Sequence, residues 1–182
     1  MAAFERLVEA YHQPVYNLTY RMLGAPQEAE DATQETFLRL YRRFDTYTPG
    51  RKFSSWLLTI ASHCCIDRLR RQRGSSVSLE EIAEFAGPDR AAADPEAAAV
   101  ATEREREVRQ LLAELGPKDR AVVVLHYWYG LSYEEMAQAL DCTVGAVKSR
   151  LHRARRTMAE TLLARQEAVT SRRRAQGREV RG

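Results

Sequence analysis

The chain has 182 residues, 45% of them hydrophobic, and a formal net charge of +3, enough for one domain or two small ones around a real core and too apolar for wholesale disorder. Its three cysteines, Cys64, Cys65 and Cys142, are odd in number and lack C-x-x-C spacing, which excludes a disulfide framework and a zinc site. No apolar run is long enough to span a bilayer and the N-terminal "MAAFERLVEAYHQ" has no apolar signal core, so a reduced, cytoplasmic protein without membrane insertion is expected.

The charge is segregated. Acid gathers in "EAEDATQE" (28–35), whereas base gathers in "RLRRQR" (68–73), "KSRLHRARR" (148–156) and the tail "SRRRAQGREVRG" (171–182). Segregation of this kind points to an anionic partner for the basic patches and a different partner for the acidic one.

Almost every segment has helical period. Phe4, Leu7, Val8, Tyr11, Val15, Leu18 and Met22 form one stripe that runs to a stop at Gly24, with Pro14 as either a kink or a join. Pro26 suits the first turn of a second helix, over 26–44, acidic at its start and basic at its end as the helix dipole prefers. "DTYTPGRK" reads as a loop, and a third helix is predicted over 54–73, its apolar face fading into a basic end. From 74 to 95 the pattern dissolves into Ser, Gly, Pro, Ala and Asp, except for a short helix predicted over 78–86 from the Ser78/Glu81 capping-box pair. This stretch reads as a flexible linker. A second helical unit starts near Pro95, stops at Gly116, restarts at Pro117 and reaches Gly130. No period-two strand pattern persists. The fold class is therefore all-α, two small helical domains joined by a flexible linker, the second a helix-turn-helix: 1–74, linker 75–95, 96–165, and a basic tail 166–182 expected to be disordered.

The helix-turn-helix lies in "LSYEEMAQALDCTVGAVKSRLHRARR" (131–156). Ser132 and Glu135 have capping-box spacing, Asp141, Cys142 and Thr143 form the turn, and Thr143 is a competent N-cap. In the helix that follows, Val144, Val147, Leu151, Ala154 and Met158 form an apolar stripe. The other face shows Gly145 and Ala146 first, then Lys148, Ser149, Arg150, His152, Arg153, Arg155 and Arg156. Small residues followed by cations suit insertion into the major groove, where arginine pairs with guanine edges and further cations hold phosphates. We read it as DNA-binding.

In the first half, Asp31, Gln34 and Glu35 lie within about one turn and form an acidic-polar patch, which either serves a partner or complements the helix dipole. Among Phe37, Leu38 and Leu40 at least one apolar residue is expected to stay available. Tyr47, Phe53 and Trp56 surround a loop containing Arg51, Lys52, Ser54 and Ser55; rings beside cations suit single-stranded DNA. Trp56 reads as core and Tyr47 as the exposed member.

Three stretches in order, "AEDATQETFLRLYRRF", "FSSWLLTIASHCCIDRLRR" and the helix-turn-helix above, resemble the extracytoplasmic-function (ECF) sigma factors of bacterial RNA polymerase over 4–73 and 105–163. The resemblance implies an initiation factor that binds core polymerase, recognises −35 and −10 elements and promotes melting. By that likeness Asp31, Gln34, Glu35, Phe37 and Leu38 dock on the clamp helices of the largest subunit, and the second domain meets the flap of the second-largest. Tyr47, Arg51, Lys52, Phe53, Ser62 and His63 fall where the −10 element is read, with a flipped base captured in a pocket. Lys148, Ser149, Arg150, His152, Arg153 and Arg155 match the −35 contacts. An anti-sigma protein is implied as a further partner. The chain departs from the family at His63, where asparagine is frequent, so −10 preference does not carry over.

An enzyme is not expected. His12, His63, His126 and His152 are scattered, no H-E-x-x-H, phosphate loop or nucleophile elbow occurs, and no cofactor or metal is implied. The competing reading is a stand-alone helix-turn-helix regulator with dimerising N-terminal helices.

Overall fold

The computed structural model describes residues 2–50, 52–74 and 95–179, and all regular structure in them is helical. The helix predicted over 78–86 lies outside these residues, as does the expected linker apart from Pro95, which begins a helix.

Helix α1 (Ala2–Leu23) is one continuous element with Pro14 inside it, so Pro14 does not divide it into two helices. It ends where Gly24 adopts φ 84°, a left-handed conformation that costs glycine little, and the Gly24 N–H bonds back to the Tyr20 carbonyl at 2.8 Å. Helix α2 (Pro26–Arg42) starts with proline in its first turn and is followed by a 3₁₀ turn, Phe44–Thr46. Helix α3 (Phe53–Gly74) completes the first half. Val15, Leu18 and Met22 of α1, Leu40 of α2 and Leu57, Ala61 and Cys64 of α3 are fully buried. Small residues bring α1 close to α2: the Thr19 and Thr33 hydroxyls meet at 3.0 Å, and Thr19 also donates to the Ala29 carbonyl at 3.0 Å.

The second half comprises α4 (Pro95–Ala113), α5 (Pro117–Tyr129), α6 (Tyr133–Ala139) and α7 (Val144–Glu179). Leu111, Leu112, Val122, Leu125, Met136, Val147 and Leu151 supply its interior. The stretch expected to be a disordered tail instead continues α7 to Glu179. Its residues are mostly Ala, Glu, Gln and Arg, all good helix formers, and no Pro or Gly interrupts α7 between Gly145 and Gly177. Arg165, immediately before this stretch, ties α7 to α4, donating to Gln110 Oε1 at 2.8 Å.

The halves pack on each other. Helix α5 lies against α1 and α3, α4 against α1, and α6 against α3, so the buried side chains form one continuous cluster. Arg120 of α5, itself buried, donates to the Met22 carbonyl at the end of α1, to Ala113 O at 2.9 Å and to Leu115 O at 3.3 Å. One guanidinium thus closes the C-terminal ends of α1 and α4, a helix from each half, where unpaired carbonyls and the helix dipole favour a cation. Tyr129 Oη donates to Pro14 O at 2.7 Å, and burial pushes its phenol up to about 12. Arg21 stacks on Trp128 with 5.3 Å to the ring centroid. Among the described residues no helix is long and apolar enough to cross a membrane, and no cluster of His, Cys, Asp and Glu could hold a metal ion.

Candidate nucleic-acid interface

The helix-turn-helix is built by local hydrogen bonds at the predicted positions. The Glu135 N–H donates to Ser132 Oγ at 3.1 Å, and the Ser132 N–H donates to Glu135 Oε2 at 2.8 Å, closing the capping box of α6. The turn has Asp141 at φ 46°, a left-handed conformation that aspartate tolerates better than most residues. The Ala146 N–H donates to Thr143 Oγ1 at 3.1 Å, starting α7. Arg150 is half-buried and donates to Cys142 Sγ at 3.1 Å, so this arginine braces the turn.

Val147, Leu151 and Ala154 pack into the core, which forces the opposite face of α7 outward. Lys148, Ser149, His152, Arg153 and Arg155 are all exposed there. The Lys148 ammonium lies 5.8 Å from the Tyr133 ring centroid. Arg155 donates from Nε to Leu151 O at 3.3 Å, and Arg156 pairs with Glu160 one turn on. Arg153 is held by a different helix: Nε and Nη2 bond Asp119 Oδ2 and Oδ1 at 2.6 and 2.7 Å.

In the first half, Tyr47, Phe53 and Trp56 form one aromatic cluster, with centroid separations of 5.2 to 5.9 Å, and Tyr11 closes on Phe53 at 5.3 Å. Tyr47 is therefore half-buried and not the exposed ring expected, because its two neighbours clamp it; Phe44 is the more exposed aromatic nearby. Lys52 is exposed, with Nζ 3.6 Å from Glu135 Oε1, and Ser55 Oγ donates to the same oxygen at 3.3 Å. Glu135 thus caps α6 with one oxygen and holds the start of α3 with the other. The Ser132 N–H, and to a lesser degree Lys52, keep its carboxyl below the usual range. Arg51 lies outside the described residues.

Ser62 was assigned to DNA contact but is fully buried. It lies two turns beyond Ser55 on the same side of α3. His63 is half-buried. Burial lowers its pKa; Asp67 and Asp141 oppose this, while Arg43 and Arg39 reinforce it. The histidine is neutral at pH 7, and Asp141 brings the helix-turn-helix turn within its electrostatic reach.

The acidic-polar patch divides. Asp31 and Gln34 are exposed, but Glu35 is engaged internally, with Arg39 at 2.5 Å and Arg68 at 3.1 Å; Arg68 also pairs with Glu28 at 3.3 Å. This carboxylate joins α2 to α3. Burial alone would raise the Glu35 pKa, but hydrogen bonds from Arg68 and the charge of Arg39 bring it below the ordinary value. Phe37 is likewise core, only 7% exposed, while Leu38 is 59% exposed. Leu38 and Tyr41, itself 64% exposed, flank a shallow apolar groove with Phe4, Val8 and Gln34. Tyr41 escaped the sequence reading, although its place three residues after Leu38 puts both on one helical face.

Family models for Sigma-70 region 2 and Sigma-70 region 4 match residues 7–75 and 105–158. The chain is 39% identical over 166 residues to the ECF RNA polymerase sigma factor SigW of Bacillus subtilis, covering 88% of this chain and 89% of that protein. It is 35% identical to the RNA polymerase sigma-H factor of Pseudomonas aeruginosa, covering 88% and 86%. Among solved structures, the complex of CnrH with the cytosolic domain of CnrY aligns with TM-score 0.62 at 25% identity, covering 90% of this chain and 89% of that one. The sigma factor RpoE of Bartonella quintana, solved with the anti-sigma factor NepR, aligns with TM-score 0.68 at 21% identity, covering 89% and 98%, a likeness of fold.

Proposed function

The chain belongs to the extracytoplasmic-function sigma factors, the alternative initiation factors of bacterial RNA polymerase, and on that premise we propose how its residues divide the work. The exposed face of α7, with Lys148, Ser149, His152 and Arg153, enters the major groove of the −35 element. Arg155 supplies phosphate contacts and Arg150 supports the turn. The observation that carries this assignment is the geometry of α7: an N-capped start, a buried Val147–Leu151–Ala154 stripe, and small then cationic residues on the outer face.

Lys52 and the Tyr47–Phe53–Trp56 cluster provide cation and rings for the melted −10 strand, and we assign Arg51 and His63 to the same task by the family resemblance. In the present arrangement α6 sits on this surface through Glu135, so simultaneous engagement of both elements requires the halves to part. Asp31 and Gln34 with the Leu38–Tyr41 groove dock on the clamp helices of the largest polymerase subunit, and the second half meets the flap of the second-largest. An anti-sigma protein is the partner we propose for the same groove when the factor is held inactive. Bond-making chemistry belongs to the polymerase. A stand-alone regulator is not favoured, because both halves match sigma regions.

The test is run-off transcription with core polymerase from the source organism. Lys148→Ala and Arg153→Ala should each weaken a −35-dependent promoter by about 1–3 kcal/mol of recognition, that is about 5- to 150-fold. Unchanged output from such a promoter would remove the −35 assignment.

A further inference from the structure

Asp119 stands at the third position of α5, 34 residues before Arg153, and nothing in the local pattern links the two. Yet the carboxylate takes the Nε and Nη2 hydrogens of Arg153 in a side-on fork at 2.6 and 2.7 Å. Asp119 is only 14% exposed while Arg153 is 60% exposed, so the anchored carboxylate is the fixed partner and the guanidinium the presented one.

We propose that Asp119 is a positioning residue for −35 recognition, aiming Arg153 end-on at a guanine edge. The inference rests on the reading that α7 enters the major groove. The donor geometry carries it further. A guanidinium has five N–H groups, and the side-on fork uses Nε–H and one Nη2–H. The two that remain along its outer edge, on Nη1 and Nη2, are the pair that bonds guanine O6 and N7 together. A free arginine samples many rotamers and loses that freedom on binding; one already held by a carboxylate loses less. The other arginines of this face are spent differently among the described residues: Arg150 on the turn, Arg155 on its own helix backbone, and Arg156 on Glu160. Arg153 is the one among them fixed by a carboxylate from another helix.

A competing account makes the pair a surface ion pair that merely joins α5 to α7. The two accounts differ in sign. Near a phosphate backbone Asp119 is an unfavourable charge, so its removal should leave non-specific DNA affinity equal or higher. If it positions Arg153, its removal should nonetheless cost sequence discrimination.

The experiment uses the full chain with core polymerase, measuring promoter binding and run-off transcript on templates with every single-base-pair substitution in the −35 element. Melting temperature and core binding are checked for each variant, and Asp119→Asn serves as the near-isosteric partner to Asp119→Ala. Arg153→Ala should flatten preference at one base pair. Asp119→Ala and Asp119→Asn should flatten preference at that same base pair by about 3- to 30-fold, a large part of what Arg153→Ala removes. Non-specific DNA binding should not fall, Asp119→Glu should restore part of the preference, and the double variant Asp119→Ala/Arg153→Ala should be no worse than Arg153→Ala. Full discrimination in both Asp119 variants while Arg153→Ala is impaired would overturn the inference and leave the −35 reading standing. An equal loss on every template would overturn it in favour of the joining role. No loss of preference in Arg153→Ala itself would overturn the groove assignment beneath it.

Discussion

Replacing Arg120 by methionine isolates the contribution of one guanidinium to the closed packing of the two halves. Methionine keeps most of the apolar stem and removes the donors to Met22 O, Ala113 O and Leu115 O. Hydrogen bonds from a charged group contribute about 1.5–3 kcal/mol each, and three would sum to more than single-residue losses normally show. Leaving a buried carbonyl without its donor costs about 1–3 kcal/mol, and for three carbonyls that keep part of their other hydrogen bonding we take about 3–5 kcal/mol as the expected loss. For a chain of this size each kcal/mol lowers Tm by about 2–4 °C, so Arg120→Met should melt roughly 6–20 °C lower. Circular dichroism melting measures this directly. Arg120→Lys, a point charge that cannot span both helix ends, should recover only part of the loss. A melting temperature for Arg120→Met within about 1 °C of the parent, equivalent to under about half a kcal/mol, would refute the reasoning. The ends of α1 and α4 would then be satisfied equally well without the guanidinium.

Glu35, held below its ordinary 4.5 by Arg68 and Arg39, contributes stability that is in place above pH 4.5 and lost as pH falls through the lower folded value. Glu35→Gln should therefore be less stable than the parent at pH 7, with the gap narrowing below pH 4.5; denaturant unfolding at both pH values checks this, and a pH-independent gap would contradict it. His63 is depressed below 6.5, chiefly by burial, so its contribution is likewise in place above pH 6.5 and lost on acidification through the folded value. His63→Asn should flatten the fall in Tm between pH 7.5 and 5.5, and parallel profiles for the two proteins would exclude this role. Leu38→Asp alters an exposed position and should change stability by no more than about 0.5 kcal/mol, whereas Tyr41→Asp, which loses the ring contact with Phe4 and puts an anion in the last turn of α2, should cost about 1–2 kcal/mol. Core-polymerase binding in a pull-down should nevertheless drop sharply, and full binding would exclude the groove as the docking surface. Ser132→Ala removes one half of the capping box and should cost about 1 kcal/mol in thermal unfolding.

Features governed by neighbours three or four residues apart were readable from the residue order. The Ser132–Glu135 box, the Thr143 cap, the glycine stop at Gly24 and the α7 stripe are all of this kind, since capping distances and the 3.6-residue period are local backbone geometry. Side-chain polarity alone misled where a second element intervened. Ser62 is a small polar residue that looks available, yet it is fully buried. Glu35 belongs to an acidic run that looks exposed, but α3 supplies Arg68 to engage it. Phe37 and Leu38 are adjacent and both apolar, but Phe37 falls on the buried Ala29–Ala32–Thr33–Thr36–Leu40 stripe of α2 and Leu38 falls off it. In the tail the helix propensity of Arg, Ala, Gln and Glu acts against the mutual repulsion of its charges, and α7 runs to Glu179.

Thus the all-helical class, most helix bounds and the cationic face of α7 follow from local rules acting on the chain. The pairs that tune the molecule do not. Glu135 meets Ser55 across 80 residues, Arg120 meets Met22 across 98, and Asp119 meets Arg153 across 34. No periodicity reports such contacts, because they arise from how helices stack once their apolar stripes are buried together. That stacking decides which charged groups face a neighbour and which remain free for DNA and polymerase.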